Sequence, residues 1–294
     1  MNFAIAGRER ADKTVTLPPL DLARSDILET LNLLFEEIQK TYPSIFQTFE
    51  SLLLEKSKSL INDIKLLELN SDFSKEISEH KYLQNSVELV RSNITFLLKA
   101  LNISESQLWE NPKISYPAKE FLETIFHLFY TRLQILTQLI GREEAFSLYR
   151  DYVDNYNYRV NARNQSQIDE NLEEFREKQI RWLENNPYGR VRIFGQVEDG
   201  RLIRFCANCE KFDTLYNAGF TDKEMLYHII CYMHITLANV WNKHFHLLLD
   251  SKAKSGKDYC TYIYLDRRIS TNNDFPSREF LDDIWTKYVQ GEIG

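Results

Sequence analysis

The chain has 294 residues, 43% of them hydrophobic, which suits one large domain or two smaller ones and excludes wholesale disorder. Acidic residues outnumber basic ones, 43 to 36, for a formal charge of −7. With no long basic block, nucleic acid and anionic membrane surfaces are not expected partners.

The lead-in, residues 1–24, reads as irregular because Pro18 and Pro19 bar a regular element. It lacks the apolar core of a signal peptide, and no run in the chain approaches the roughly 18 residues of a membrane span. The expectation is a cytoplasmic protein, whose four cysteines are then thiols, ligands or nucleophiles rather than disulfides.

From Ser25 a helical period sets in, with Ile27, Leu31, Leu34 and Ile38 on one stripe. Pro43 restarts a helix, and Ser71 and Asp72 are candidate caps for another. A helical N-terminal domain is expected over 25–110. NPKISYP, with Pro112 and Pro117, marks the boundary, and an α+β domain follows over 118–294. The apolar helix at 118–140 ends at Gly141 and serves either the core or a homodimer interface, burial being the simpler reading. Two further helices follow, at 142–160 and 167–186.

The pattern then changes to strands. RVRIFGQVEDGRLIRFC reads as a hairpin turning at Asp199-Gly200. Thr221 to Glu224 forms a capping box opening a helix through Trp241. HFHLLLD and DYCTYIYLD are strands separated by SKAKSGK, and EFLDDIWTKYV closes the chain as a helix. Hairpin strands between helices predict an antiparallel sheet flanked by helices.

Cys206, Cys209, Cys231 and His234 have the ligand types and spacings of a zinc site, and zinc is the alternative to a cofactor-free site. Against it, Cys231 lies in a very apolar helix, where cysteine is often a small core residue. The second reading is thiol chemistry, in which a neighbouring base or cation lowers a cysteine pKa. Four of the six histidines, His228, His234, His244 and His246, cluster in this half of the chain. His244 and His246 alternate along their strand and share a face, opposite Phe245, Leu247 and Leu249. Asp266, Arg267 and Arg268 offer either a substrate-carboxylate site or a surface pair. There is no phosphate-binding glycine loop, no His-Glu-x-x-His and no Gly-x-Ser-x-Gly, which disfavours nucleotide-driven chemistry, zinc proteolysis and α/β-hydrolase chemistry.

Three stretches taken together carry a family likeness: LIGREEAFSLYRDYVDNY (139–156), FCANCEKFDTLYNAGFTDKEMLYHIICYMHITL (205–237) and SGKDYCTYIYLD (255–266). They resemble the bacterial L-2-amino-thiazoline-4-carboxylate hydrolase-like family, itself distantly similar to vinyl-reductase-type ligand-binding domains and the trafficking-protein fold. The resemblance covers roughly 120–266. It implies an enzyme of specialised metabolism that hydrolytically opens a cyclic amidine or thiazoline, with a small-molecule substrate. Cys231 would be the nucleophile, His234 the general acid/base and Cys206 a catalytic partner, with Cys209, His244, His246, Cys260 and Arg267 on the substrate. The family pattern has an acidic residue where this chain has His234.

Overall fold

The computed structural model describes residues 3–7, 13–62, 64–161, 171–184, 190–270 and 273–293. The fold is α+β, as expected, and every strand pairing among the described residues is antiparallel. The strands are β1 (Phe3–Ala6), β2 (Thr14–Leu17), β3 (Ile114–Pro117), β4 (Arg192–Gly195), β5 (Arg201–Cys206), β6 (Phe245–Asp250) and β7 (Cys260–Asp266). The chain divides into two compact units, one of Met1–Lys13, Asn157–Asp213 and Ile230–Gly294, the other of Thr14–Tyr156 and Thr214–Ile229. This division runs differently from the expected 25–110 and 118–294.

The second unit is mostly helical. Its helices include Thr30–Thr41, Phe46–Ile61, Val87–Ala100, Ala118–Ile140 and Arg142–Tyr156, with the small β2–β3 sheet beside them. The helix at 118–140 buries Phe121, Leu122, Ile125, Leu128, Leu133 and Leu136, which fulfils the core reading of its apolar stripe. Asn70 caps the helix Ser71–Glu79, its side chain accepting from the Phe73 N–H, so the cap lies one residue before the expected pair. The capping box expected at Thr221 is likewise an Asp222 cap that accepts from the N–H groups of Glu224 and Met225.

The first unit holds a five-stranded sheet in the order β1-β4-β5-β7-β6. Strand β1 pairs with β4, Phe3 opposite Gly195, and β2 pairs with β3, Val15 opposite Tyr116. The lead-in read as irregular therefore supplies two strands. FAIA and TVTL do alternate, but four residues are too few for period two to stand out. Pro19 begins a helical turn, a position where its missing N–H costs nothing. NPKISYP likewise ends in strand β3 inside the second unit rather than at a boundary.

The Asp199-Gly200 hairpin forms as expected. Both residues have positive φ, 50° and 69°, as a tight hairpin turn requires. A Cβ on Gly200 would lie 2.8 Å from the Ser270 backbone nitrogen, so glycine is also needed there for space.

Cross-strand partners divide the side chains of the sheet between two faces. Phe194, Leu202, Tyr264, Phe245 and Leu247 lie on one, under the helices Leu172–Glu184 and Met233–Trp241. Ile193, Ile203, Phe205, Ile263 and Leu265 lie on the other, packed on Leu281 and Ile284 of the C-terminal helix Arg278–Val289. Each such fully buried side chain contributes roughly 1.5–3 kcal/mol of apolar transfer energy. The helix expected over 167–186 is described for Leu172–Glu184, its outer residues lying outside the described ones. Among the described residues, no helix is long and apolar enough to cross a membrane.

Candidate functional site

The register of the sheet brings three chemically distinctive pairs onto the face under the helices Leu172–Glu184 and Met233–Trp241. Arg192 on β4 stands opposite Cys206 on β5, and Cys206 stands opposite Cys260 on β7. One pleat along, Arg204 stands opposite Tyr262. Strand residues two apart point the same way, so Arg204 with Cys206 and Cys260 with Tyr262 all face one side. After β5 the chain passes through Ala207 and Asn208 to Cys209, whose carbonyl accepts the Asp213 N–H in the first turn of the helix Glu210–Asn217.

These residues border a cavity of about 230 Å³, walled by Arg192, Arg204, Cys206, Cys209, His234 and Tyr262, with Trp182 and Trp241 among its apolar parts. Ile230, Met233, His234, Leu237 and Trp241 form the helical stripe that lines it. Cys231 is off that stripe. The continuous helix expected through Trp241 is interrupted by a π-helical segment, Tyr227–Cys231, before Met233–Trp241 resumes. That extra winding shifts the angular phase of Cys231 relative to His234. Burial pushes the Cys231 thiol up, and the nearby Ser251 hydroxyl offsets this only in part. The residue expected as nucleophile is thus a buried thiol outside the cavity wall, whereas Cys206 lies in that wall.

Cys206 is 1% exposed and its thiol is held well below the usual range. Hydrogen bonds from the Cys209 and Cys260 thiols are the main cause, and the charges of Arg192 and Arg204 add to them against the cost of burial. The Cys209 and Cys260 thiols are correspondingly raised, since each keeps its proton and donates a hydrogen bond to the Cys206 sulfur. When protonated, Cys206 donates to the Asn208 carbonyl at 3.0 Å. The same carbonyl takes an N–H of Arg192 at 3.1 Å, so it stays satisfied when the thiol ionises. Cys260 is further engaged by the Lys252 N–H, 3.1 Å from its sulfur.

Arg204 is held between layers. Its guanidinium carbon sits 4.1 Å from the Tyr262 ring centroid and 5.1 Å from that of Tyr264, and it donates to Gln179 at 3.1 Å. Its Nε is buried with no protein partner among the described residues. Arg190 and Lys211 also line the cavity, with Glu210 as the opposing carboxylate. The balance of charge favours an anionic ligand.

His234 lies edge-on to Tyr262, 5.5 Å between centroids. Burial holds its imidazole well below the usual range, and Lys211 and Arg204 add to the effect. The ring is therefore neutral at pH 7, and its surroundings disfavour the imidazolium.

Other expected residues lie elsewhere. His244 is in the turn before β6, where its N–H donates to Asn242 Oδ1 at 2.9 Å. His246 pairs with Leu265, which puts its side chain on the sheet face opposite Cys206. There its Nδ1 meets Arg267 Nη2 at 2.9 Å. Neither histidine, nor Arg267, lines the cavity. Asp266 is fully buried and binds Arg268 through both carboxylate oxygens, rather than forming a carboxylate site with Arg267. His228 stacks on Phe146, 4.4 Å between centroids, within the second unit. Among the described residues, no group of three or more His, Cys, Asp or Glu side chains has the arrangement that would hold a metal ion. The Cys206, Cys209, Cys231, His234 set is therefore not assembled as zinc ligands.

Sequence reasoning missed Arg192, Arg204 and Tyr262. The signal was present for two of them, since Arg204 precedes Cys206 by two and Tyr262 follows Cys260 by two. Compared with protein-family models, with curated proteins and with solved structures, the chain matches none.

Proposed function

We propose that the cavity of the first unit binds a small, anionic cyclic amidine or thiazoline and opens it hydrolytically, with Cys206 as nucleophile. The observation that carries this reading is the place of Cys206 in the wall of a small cavity, beside Cys209, Arg192 and Arg204, surroundings that hold its thiol below the usual range. The Arg204 guanidinium, which lines the cavity and whose buried Nε has no protein partner among the described residues, receives the ligand's carboxylate, and the neighbouring aromatic rings accommodate a flat heterocycle. The Cys206 sulfur adds to the amidine carbon. The electron pair of the C=N bond moves to nitrogen, which takes a proton from the Cys209 thiol. The lone pair of the second amidine nitrogen re-forms a C=N bond as the ring C–N bond breaks, and the departing nitrogen takes a proton from the resulting iminium. Water then adds to the carbon, giving one proton to the imine nitrogen and the other through His234 to the Cys209 sulfur. The adduct collapses to a carbonyl as the Cys206 thiolate leaves. The resemblance of 139–156, 205–237 and 255–266 to the thiazoline-carboxylate hydrolase-like family supports the same substrate class.

A second reading is a binding module without turnover. It is favoured by Cys206 being 1% exposed and by an arginine–tyrosine stack that suits holding a ligand as well as transforming one. Incubation with 2-aminothiazoline-4-carboxylate, followed by chromatography of products, separates the two. Turnover lost in Cys206→Ser with binding retained supports the hydrolase. Full turnover in that variant removes it, and binding without turnover in the wild type leaves the module.

A further inference from the structure

Cys206 and Cys209 are the cysteines that reach the cavity wall, and no disulfide joins either of them in this structure. Cys206 is fixed at the end of β5. Cys209 lies past the strand, just before the helix Glu210–Asn217, three positions after Cys206 and on the same cavity wall. Cys260 is less suited to pair with Cys206. The two are opposed across neighbouring strands, where Cβ atoms stand about 4.5–5.5 Å apart, whereas a disulfide wants about 3.8 Å. Its sulfur also accepts the Lys252 N–H and lies outside the cavity wall. Cys231 is outside it too.

We propose that Cys206 and Cys209 form a peroxide-sensitive thiol–disulfide couple that switches the cavity off. This rests on the same Cys206 thiolate as the proposed function, but not on any turnover. The Cys206 sulfur attacks one oxygen of hydrogen peroxide, the O–O bond breaks, and two electrons pass from sulfur to give a sulfenic acid and hydroxide. The Cys209 sulfur then attacks the Cys206 sulfur. An S–S bond forms, the S–O bond breaks, and the oxygen leaves as water with the Cys209 proton. The hydroxide takes the proton that Cys206 lost on ionising. Two thiols and one peroxide thus become one disulfide and two waters. A thiol held below the usual range in a cavity wall, beside a less buried resolving cysteine, is the arrangement on which such oxidation is selective. The product removes the negative charge from beside Arg192 and Arg204 and consumes the nucleophile, so a thiol reductant restores what the oxidant removes.

The full-length protein is treated with hydrogen peroxide at a few equivalents, and its cysteine peptides are mapped without reduction. The expected product is a Cys206–Cys209 peptide lighter by two hydrogens, reversed by dithiothreitol. In Cys209→Ser that disulfide is lost and a dimedone adduct at Cys206 increases at least about tenfold, while Cys260→Ser still forms it. A wild-type map showing Cys206 joined to Cys260, or oxidation confined to Cys209, overturns the inference. The wild-type map decides even where a variant does not fold. A protein that forms the disulfide but opens no cyclic amidine keeps this inference and loses the hydrolase reading. One that turns over without forming the disulfide does the reverse.

Discussion

Arg204 and Tyr262 face each other across β5 and β7, with the guanidinium carbon 4.1 Å from the ring centroid. The stack holds a buried cation in place while its Nε stays without a protein partner. Cation–π contact of a desolvated guanidinium contributes about 2 kcal/mol, so the guanidinium is held in a fixed plane. Lysine keeps the charge but loses the planar fork and the stack. Arg204→Lys is expected to weaken binding of a carboxylate ligand about tenfold or more, and to change binding of its neutral amide much less. Calorimetric titration of both ligands measures this, and equal losses for the two would assign Arg204 a packing role only.

His234 makes folding stability depend on pH. Its folded-state pKa lies below the unfolded value of about 6.5, because burial disfavours the imidazolium. Beneath pH 6.5 the unfolded chain therefore binds the extra proton. The stability associated with neutral His234 is fully present above that pH and is lost as the pH falls toward the folded value. Within that window the wild type should lose up to about 1.4 kcal/mol per pH unit more than His234→Phe, which keeps the aromatic contact with Tyr262. Urea unfolding at pH 7.5, 6.0 and 5.0 measures the difference, and parallel curves for the two proteins would show that His234 does not titrate on unfolding.

Asp266 is 0% exposed and accepts Arg268 N–H groups at 2.7–3.2 Å. The side-chain hydrogen bonds from Arg268 hold its carboxyl below the usual range against the cost of burial. Its stabilisation is present above the unfolded value of about 3.9 and is lost as pH falls through the folded value. Asp266→Asn should cost about 2–4 kcal/mol at pH 7, since the neutral amide accepts at one oxygen only and leaves Arg268 poorly paired. A thermal melt showing no change in the variant would mean that water replaces the contact.

In the second unit, Asp222 caps a helix and also takes two N–H groups of Arg142, at 2.7 and 3.1 Å. Arg142 is half exposed, and exposed ion pairs contribute little. Asp222→Ala should therefore cost about 1–2 kcal/mol, mostly through the cap, and Arg142→Ala under about 1 kcal/mol. Chemical denaturation of the two variants ranks them, and a larger loss in Arg142→Ala would make the ion pair dominant.

The α+β class and the Asp199-Gly200 turn were legible because hydrophobic period and turn chemistry are local properties. The division of β6 was legible too, since Phe245, Leu247 and Leu249 do turn toward the helices. Strand β1 was not, because its pairing with β4 bridges a separation of nearly the first two hundred residues, and no local pattern encodes it. The Cys231–His234 pairing failed for a different reason. Spacing of i and i+3 implies a common face only in an unbroken α-helix, and the winding at Tyr227–Cys231 departs from that period. Likewise the shared face of His244 and His246 said nothing about which side of the sheet held the thiols. That was set by the register, which places His246 with Leu265 and Cys206 with Cys260.

The most direct measurement is the pH dependence of Cys206 alkylation in the folded protein, using iodoacetamide and peptide mapping between pH 5 and 10. The expected result is a Cys206 midpoint well below the ordinary thiol value of about 8.5, with Cys209 and Cys260 titrating above it. A Cys206 midpoint at or above about 8.5, or one above that of Cys209, would contradict the thiolate on which the site depends.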